Sequence, residues 1–312
     1  MNGGRRETKV PHQWAGGSLL EYLRSRFTYQ SGDEWENHLK DGRIALNGKP
    51  CARDTPLSAG DTLSFLPPEI REPEVPDSWR GLYEDERYLF VDKPAGLPCH
   101  PSGIYRTKTL WNFLQPAYGT LHLVNRLDRE TSGIVVAAKN GEAAARAARS
   151  MADGGWQKEY RVVVEGAVRE PFEARGYLVS DERSPVRKKL AFIPERLLPA
   201  PPEGSRYAHT LFRPVAEKNG MTELIAELLT GKTHQIRATL HGLGFPVTGD
   251  KLYGRDPTAF LRFIEGTLTA EDLSLLRMER QALHCRRIAF TIEPEFRYDI
   301  LSPLPPDWPF TV

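Results

Sequence analysis

The stretch Asn125-Arg126-Leu127-Asp128-Arg129-Glu130-Thr131-Ser132-Gly133 runs straight into the apolar residues Ile134 to Ala138, and it limits the fold more than any other. Thr, Ser and Gly favour a turn, and the five apolar residues after them read as a buried strand. Upstream, Leu121 to Val124 also reads as extended. Asp128 is therefore expected on a short loop between two strands, where a rigid sheet fixes its carboxylate. Taken alone, an acid in such a loop more often caps a turn. The surrounding chain decides its weight.

Three stretches divide the chain of 312 residues. Residues 16–66 form a small unit with Ser18 and Glu21 at capping-box spacing and Leu19, Leu20, Leu23 and Phe27 at helical intervals. A second helix is expected over Asp33 to Lys40, followed by Ile44-Ala45-Leu46, the hairpin turn Asn47-Gly48 and a strand over Thr62 to Leu66. Residues 67–81 are rich in Pro and Glu and read as an extended linker. Residues 82–312 alternate strands and helices without a repeat, which predicts an α+β domain built on a mixed, mainly antiparallel sheet with peripheral helices. Within it, Lys158 to Glu165 has period two, with Tyr160 on the face shared by Val162 and Val164. Thr233 is placed to cap a helix carrying Arg237, and one helical segment is expected over Thr258 to Arg280.

Composition narrows the classes. Three widely spaced cysteines, Cys51, Cys99 and Cys285, predict free thiols and a cytoplasmic protein rather than a disulfide scaffold. No apolar run approaches the ~20 residues of a membrane span. A net charge of +1 means that any nucleic acid must be held by a local patch, such as the Arg183, Arg187, Lys188, Lys189 loop. Gly231-Lys232-Thr233 is not a phosphate-binding P-loop, because Ala226 stands where that motif needs glycine. Histidine and cysteine spacings suit no metal. Asp128 and Glu130 share one tight loop, so they cannot straddle a glycosidic bond as a carboxylate pair.

One carboxylate with cationic and aromatic company remains. "DKPAGLPCHPSG", "NRLDRETSG", "KEYRVVVEG", "LTGKTHQIRATLHGLGFPVTGDKLYG" and "ALHCRRIAF" occur in the order of the RluA-type pseudouridine synthases, which residues 82–312 resemble. Asn125 departs from the family, which more often has His there. The "DGRIALNGKP" turn and the helix order of residues 16–66 resemble the small αL RNA-binding domain of a small-subunit ribosomal protein and of tyrosyl-tRNA synthetases. The resemblance implies a monomeric isomerase that converts uridine to pseudouridine in RNA, in large-subunit ribosomal RNA or else in tRNA, without metal or organic cofactor. It implies Asp128 as the essential acid, as nucleophile or as base at C2′, with Arg237 as its ion-pair partner and Tyr160 as the face under the uracil. Arg126, Leu224, Lys93, His100, Lys232, His234 and Gln235 are the implied substrate contacts. The rival reading is an RNA-binding or ribosome-assembly factor without chemistry.

Overall fold

The computed structural model describes residues 5–27, 30–68, 72–293 and 296–310. The chain divides into two units, Met1–Arg71 and Glu72–Val312. Residues 69–71 of the expected linker lie outside the described residues.

In the first unit, β1 (Arg6–Lys9), α1 (Leu19–Arg26), α2 (Gly32–Lys40), β2 (Ile44–Leu46), β3 (Lys49–Pro50) and β4 (Thr62–Phe65) build a small sheet in the order β1-β4-β2-β3. The unit begins before residue 16, since β1 pairs antiparallel with β4 from Arg6↔Phe65 to Lys9↔Thr62. Leu19, Tyr22 and Leu23 of α1 and Trp35 and Leu39 of α2 share one core with Ile44, Leu63 and Phe65. Asn47 and Gly48 both take positive φ (51° and 79°), as a tight two-residue hairpin turn requires. Ser18 does cap α1 through the Glu21 amide, but the reciprocal capping box belongs to Ser31 and Glu34 of α2.

The second unit runs β5 (Arg80–Glu84), β6 (Tyr88–Lys93), α3 (Leu110–Tyr118), β7 (His122–Leu123), β8 (Ser132–Ala138), α4 (Gly141–Ala152) and β9 (Trp156–Glu165). It continues through β10 (Phe172–Ser180), β11 (Leu190–Pro194), β12 (Arg206–Lys218), β13 (Met221–Leu228), α5 (Gln235–Gly242), α6 (Ala259–Glu265), α7 (Ala270–Leu276), β14 (Leu283–Glu293) and β15 (Phe296–Leu301). One eleven-stranded sheet results, ordered β11-β10-β12-β13-β9-β14-β8-β6-β5, with β15 on β14 and β7 on β8. Among the described residues only β14 and β8 pair in parallel, over His284↔Ser132 and Cys285↔Gly133. That seam lies immediately after the Asp128 loop.

Gly133 makes the seam possible. Its φ is 108°, and a Cβ there would lie 2.3 Å from the Cys285 carbonyl oxygen, so only glycine lets the two strands meet. Residues 72–81, expected as linker, belong to this unit instead. Glu72 accepts bonds from the Thr107 and Lys108 amides (both 2.9 Å), and Arg80 opens a strand paired with β6. The segment 258–280 is two helices, because Gly266 closes α6 in the left-handed conformation (φ 70°). Pro246 to Thr248 contributes one bridge, Val164↔Val247, and not a strand. No described helix is long and apolar enough to cross a membrane.

Candidate active site

Nearly every side chain of the 125–133 loop is tied down. Asn125 imitates a strand residue: its amide donates to the Ile134 carbonyl (3.1 Å) and accepts from the Val136 N–H (2.8 Å). Leu127 is buried, and its backbone meets the Cys99 thiol. Arg129 donates to the Tyr105 hydroxyl (2.6 Å) and lies 4.8 Å from the centre of the Phe263 ring. Glu130 pairs with Lys251 (2.9 Å), Thr131 accepts from Gln281 (2.5 Å), and Ser132 meets His284 (2.9 Å). The Asp128 carbonyl accepts the Thr131 N–H (3.1 Å) and closes the turn. Arg126 alone is exposed, with no side-chain hydrogen bond or ion pair among the described residues.

Asp128 meets its partner across 109 residues of chain. Arg237 Nη1 donates to Asp128 Oδ2 at 2.7 Å. The guanidinium's other edge grips Asp250, Nε to Oδ2 at 2.6 Å and Nη2 to Oδ1 at 2.8 Å. This two-point pairing fixes the plane of the guanidinium and turns Nη1 toward Asp128. Asp250 Oδ1 also accepts the Leu252 and Tyr253 amides, each at 2.9 Å, so the whole arrangement is pinned to backbone. The Arg237 side chain is 8% exposed and that of Asp128 28%, so the carboxylate is closely surrounded yet reachable. Burial alone disfavours the Asp128 charge, but the Arg237 guanidinium and, less strongly, His234 outweigh it and hold the carboxyl below its ordinary value. Arg237 is itself raised, burial being overcome by Asp250 and then Asp128. Asp128 is an open, ionised acid at neutral pH.

His234 owes its place to backbone strain. It adopts φ 57° just before α5, a conformation rare outside glycine and most tolerated by Asn, Asp and His. Thr233, expected to cap this helix, does not; the Gln235 side chain holds the turn by accepting from Lys232 N–H and Thr230 Oγ1, each at 2.9 Å. His234 Nδ1 lies 3.0 Å from the Tyr253 hydroxyl, and Nε2 is 3.8 Å from Asp128 Oδ1, too far for a hydrogen bond. Burial lowers its pKa, against the opposing pull of the Asp128 charge.

Tyr160 is a buried residue of β9 whose register partner is Cys285 on β14. Burial first, then the Cys285 neighbour and the Asp128 charge, push the phenol well above its usual pKa. Leu224 pairs with Val162 and so lies on Tyr160's face of the sheet, but it is wholly covered. His100 is half-buried and feels Arg126, which joins burial in lowering its pKa. The Lys232 side chain is exposed.

Two expected substrate contacts do structural work instead. Lys93 is fully buried, and its ammonium donates to the carbonyls of Pro94 (2.9 Å), Leu97 (2.8 Å) and Arg129 (3.1 Å), tying the "KPAG" turn to the Asp128 loop. Burial pulls its pKa down to about 8. Gln235 is also buried, and besides the two bonds it accepts it donates to the His209 carbonyl and Thr210 Oγ1. With all its positions engaged, it has none left for substrate. Conversely, Asp250 and Tyr253 were not singled out in sequence. The signal that leads to Asp250 is visible only once Arg237 is known to be buried: a buried guanidinium has two edges, and one Asp satisfies only one of them.

Residues 87–242 match the family of RNA pseudouridylate synthases. A ribosomal large subunit pseudouridine synthase D of Xanthomonas campestris is 30% identical over 93% of this chain and 86% of its own. Its counterpart in Xylella fastidiosa is 29% identical over 98% and 91%. The mitochondrial tRNA pseudouridine(32) synthase of Saccharomyces cerevisiae is 27% identical over 80% of this chain, which spans only 53% of that longer protein. Among solved structures, human RNA pseudouridylate synthase domain containing 1 shares the fold, with a TM-score of 0.57 and 21% identity over 75% of this chain and 87% of that one. The chain belongs to the RNA pseudouridylate synthase family. It is an RNA pseudouridine synthase, an isomerase of the RluA type that its motifs resemble.

Proposed function

We propose that the protein isomerises uridines of large-subunit ribosomal RNA, with Asp128 as the essential acid, Arg237 as the group that keeps it charged and Tyr160 as the aromatic face for the uracil. The single observation that carries this reading is an ionised, partly open carboxylate bonded at 2.7 Å to a guanidinium that Asp250 holds in place. The reaction breaks the bond between the sugar C1′ and uracil N1, turns the base and forms a bond to C5, releasing the C5 proton. A fixed anion beside the sugar serves it either by attacking C1′ or by taking the C2′ proton, and the geometry is compatible with both. The raised phenol pKa favours Tyr160 as a stacking platform and hydroxyl donor rather than as a phenolate base. Arg126, unpartnered at the mouth, is suited to the gap left by the flipped base, with His100 beside it.

Residues 16–66 act in this reading as an RNA-docking module, supported by the helix–hairpin order and by Arg24, Arg26, Lys40, Arg43 and Lys49 along it. The division into residues 16–66, a linker and a catalytic part is taken in the modified form of two units meeting at 71/72. A monomer suffices, because Asp128, Arg237 and Tyr160 come from one chain, and the three free cysteines suit the cytoplasm. The names of the bacterial relatives support the ribosomal target over the tRNA one. The test is tritium release from 5-³H-uridine-labelled large-subunit RNA and from labelled tRNA. Release from the former by the wild type, abolished in Asp128→Asn, is expected. Release from tRNA alone would move the target, and release from neither would leave an RNA-binding factor.

A further inference from the structure

Tyr160 has a charged neighbour that the chemistry above does not use. Alternation along β9 puts Lys158 on the same face as Tyr160, roughly 7 Å further along the strand. Glu159, between them in sequence, faces the other way with Glu227, where both act on Arg287. Lys158 is half-buried and forms no ion pair or side-chain hydrogen bond among the described residues. Its ammonium rests against Gly231: a Cβ at that position would lie 3.0 Å from Lys158 Nζ. Gly231 is absent from the positive-φ glycines, so room for this ammonium, not backbone conformation, is what the missing side chain provides. The next residue, Lys232, is exposed and equally unpaired, and its charge adds to burial in lowering the Lys158 pKa. The remaining neighbour, Cys285, is a buried thiol whose pKa burial pushes up to about 12, so it brings no negative charge. Two cations therefore meet beside the site with no carboxylate between them, and a half-buried charge without a counter-ion is costly.

We propose that Lys158 and Lys232 form a phosphodiester subsite that holds an RNA backbone phosphate beside the base lying on Tyr160. A phosphate fits better than a uracil carbonyl, since two ammonium groups match an anion with several acceptor oxygens, while a neutral carbonyl asks for one donor. The subsite rests on the RNA-isomerase reading and extends it.

The experiment measures affinity for 5-³H-uridine-labelled large-subunit RNA over a salt series, with tritium release followed in parallel. The full chain is compared with Lys158→Met, Lys158→Arg, Lys232→Met and Gly231→Ala. Lys158→Met is expected to weaken binding several-fold at every sequence and to flatten the salt slope by about 0.7–0.9, the share of one phosphate. Lys158→Arg restores the slope. Gly231→Ala keeps both charges and asks the ammonium to yield by only a few tenths of an ångström, so it is expected to keep the wild-type slope. An unchanged slope in Lys158→Met overturns the subsite, whatever happens to the rate. Should Lys158→Met unfold, Lys232→Met, at an exposed position, decides alone: a wild-type salt slope in that variant overturns the proposal. Failure of the wider reading looks different, as no tritium released by the wild type.

Discussion

At the scale of single residues, the site depends on one guanidinium shared by two acids. Asp250 takes two of its five N–H groups and Asp128 a third, so the direction of that third bond is set from behind. Replacing Asp250 by Asn keeps size but removes half the grip. We expect Asp250→Asn to lower the single-turnover rate of tritium release on the order of 10²-fold, the cost of ångström-scale misplacement, with little change in RNA affinity. Wild-type kinetics would show that Asp128 suffices to hold Arg237. The same pair governs acid stability. Asp128 and Asp250 both titrate below their ordinary values in the folded chain, burial being outweighed in each case by Arg237. A carboxylate shifted down stabilises the fold at pH values above its unfolded pKa, near 4, and this contribution disappears as pH falls through the lower folded value. Urea unfolding followed from pH 6 to pH 2 should therefore show stability falling below about pH 4, less steeply in Asp250→Asn, which retains one of the two linked groups. Parallel curves would mean that other carboxylates dominate.

At the scale of elements, the seam between β8 and β14 joins the two halves of the sheet beside the catalytic loop. Gly133→Ala would set a Cβ 2.3 Å from the Cys285 carbonyl at a backbone φ of 108°. The expected loss is about 3 kcal/mol or more in urea unfolding, because both the strain and the clash with backbone must be relieved. Tritium release should fall with it, since β14 carries Cys285, the partner of Tyr160. A variant of wild-type stability would show that the seam can open without cost. What sequence alone made legible follows the same logic. Helices with spaced apolar residues, such as α1 and α2, carry their pattern locally and read correctly, while β9 reads as a strand although its last four residues are buried on both faces. The break of residues 258–280 at Gly266 was missed, because a glycine inside a helical pattern is ambiguous until its φ is known. Lys93 and Gln235 read as substrate contacts because their partners are backbone carbonyls and amides, which no sequence pattern displays. Asp128, Arg237 and Tyr160 were legible only jointly, through motif order, since any one of them alone reads as ordinary.

At the scale of the whole molecule, each of the two units has a main core of its own, and the position at which the chain is cut between them matters. The first core draws on Leu19, Tyr22, Trp35 and their neighbours, and the second on residues from Tyr88 to Tyr298, with no buried member in common. A chain beginning at Glu72 keeps the second core intact and keeps the carboxylate that accepts the Thr107 and Lys108 amides at 2.9 Å. A chain beginning at Leu82 loses that carboxylate, the 2.6 Å bond from Arg80 to Asp92 and two residues of β5. The loop it frees carries Tyr105, whose hydroxyl holds Arg129 next to Asp128. The two truncations should therefore separate binding from chemistry. Starting at Glu72, RNA affinity should drop while tritium release in a single turnover with saturating enzyme stays within about twofold of the full chain, roughly 0.4 kcal/mol in barrier. Starting at Leu82, the bound-state rate should fall as well, and the midpoint of thermal unfolding should drop by several degrees. If the longer truncation product already loses the bound-state rate, residues before 72 take part in the chemical step, and the docking role proposed for them is wrong.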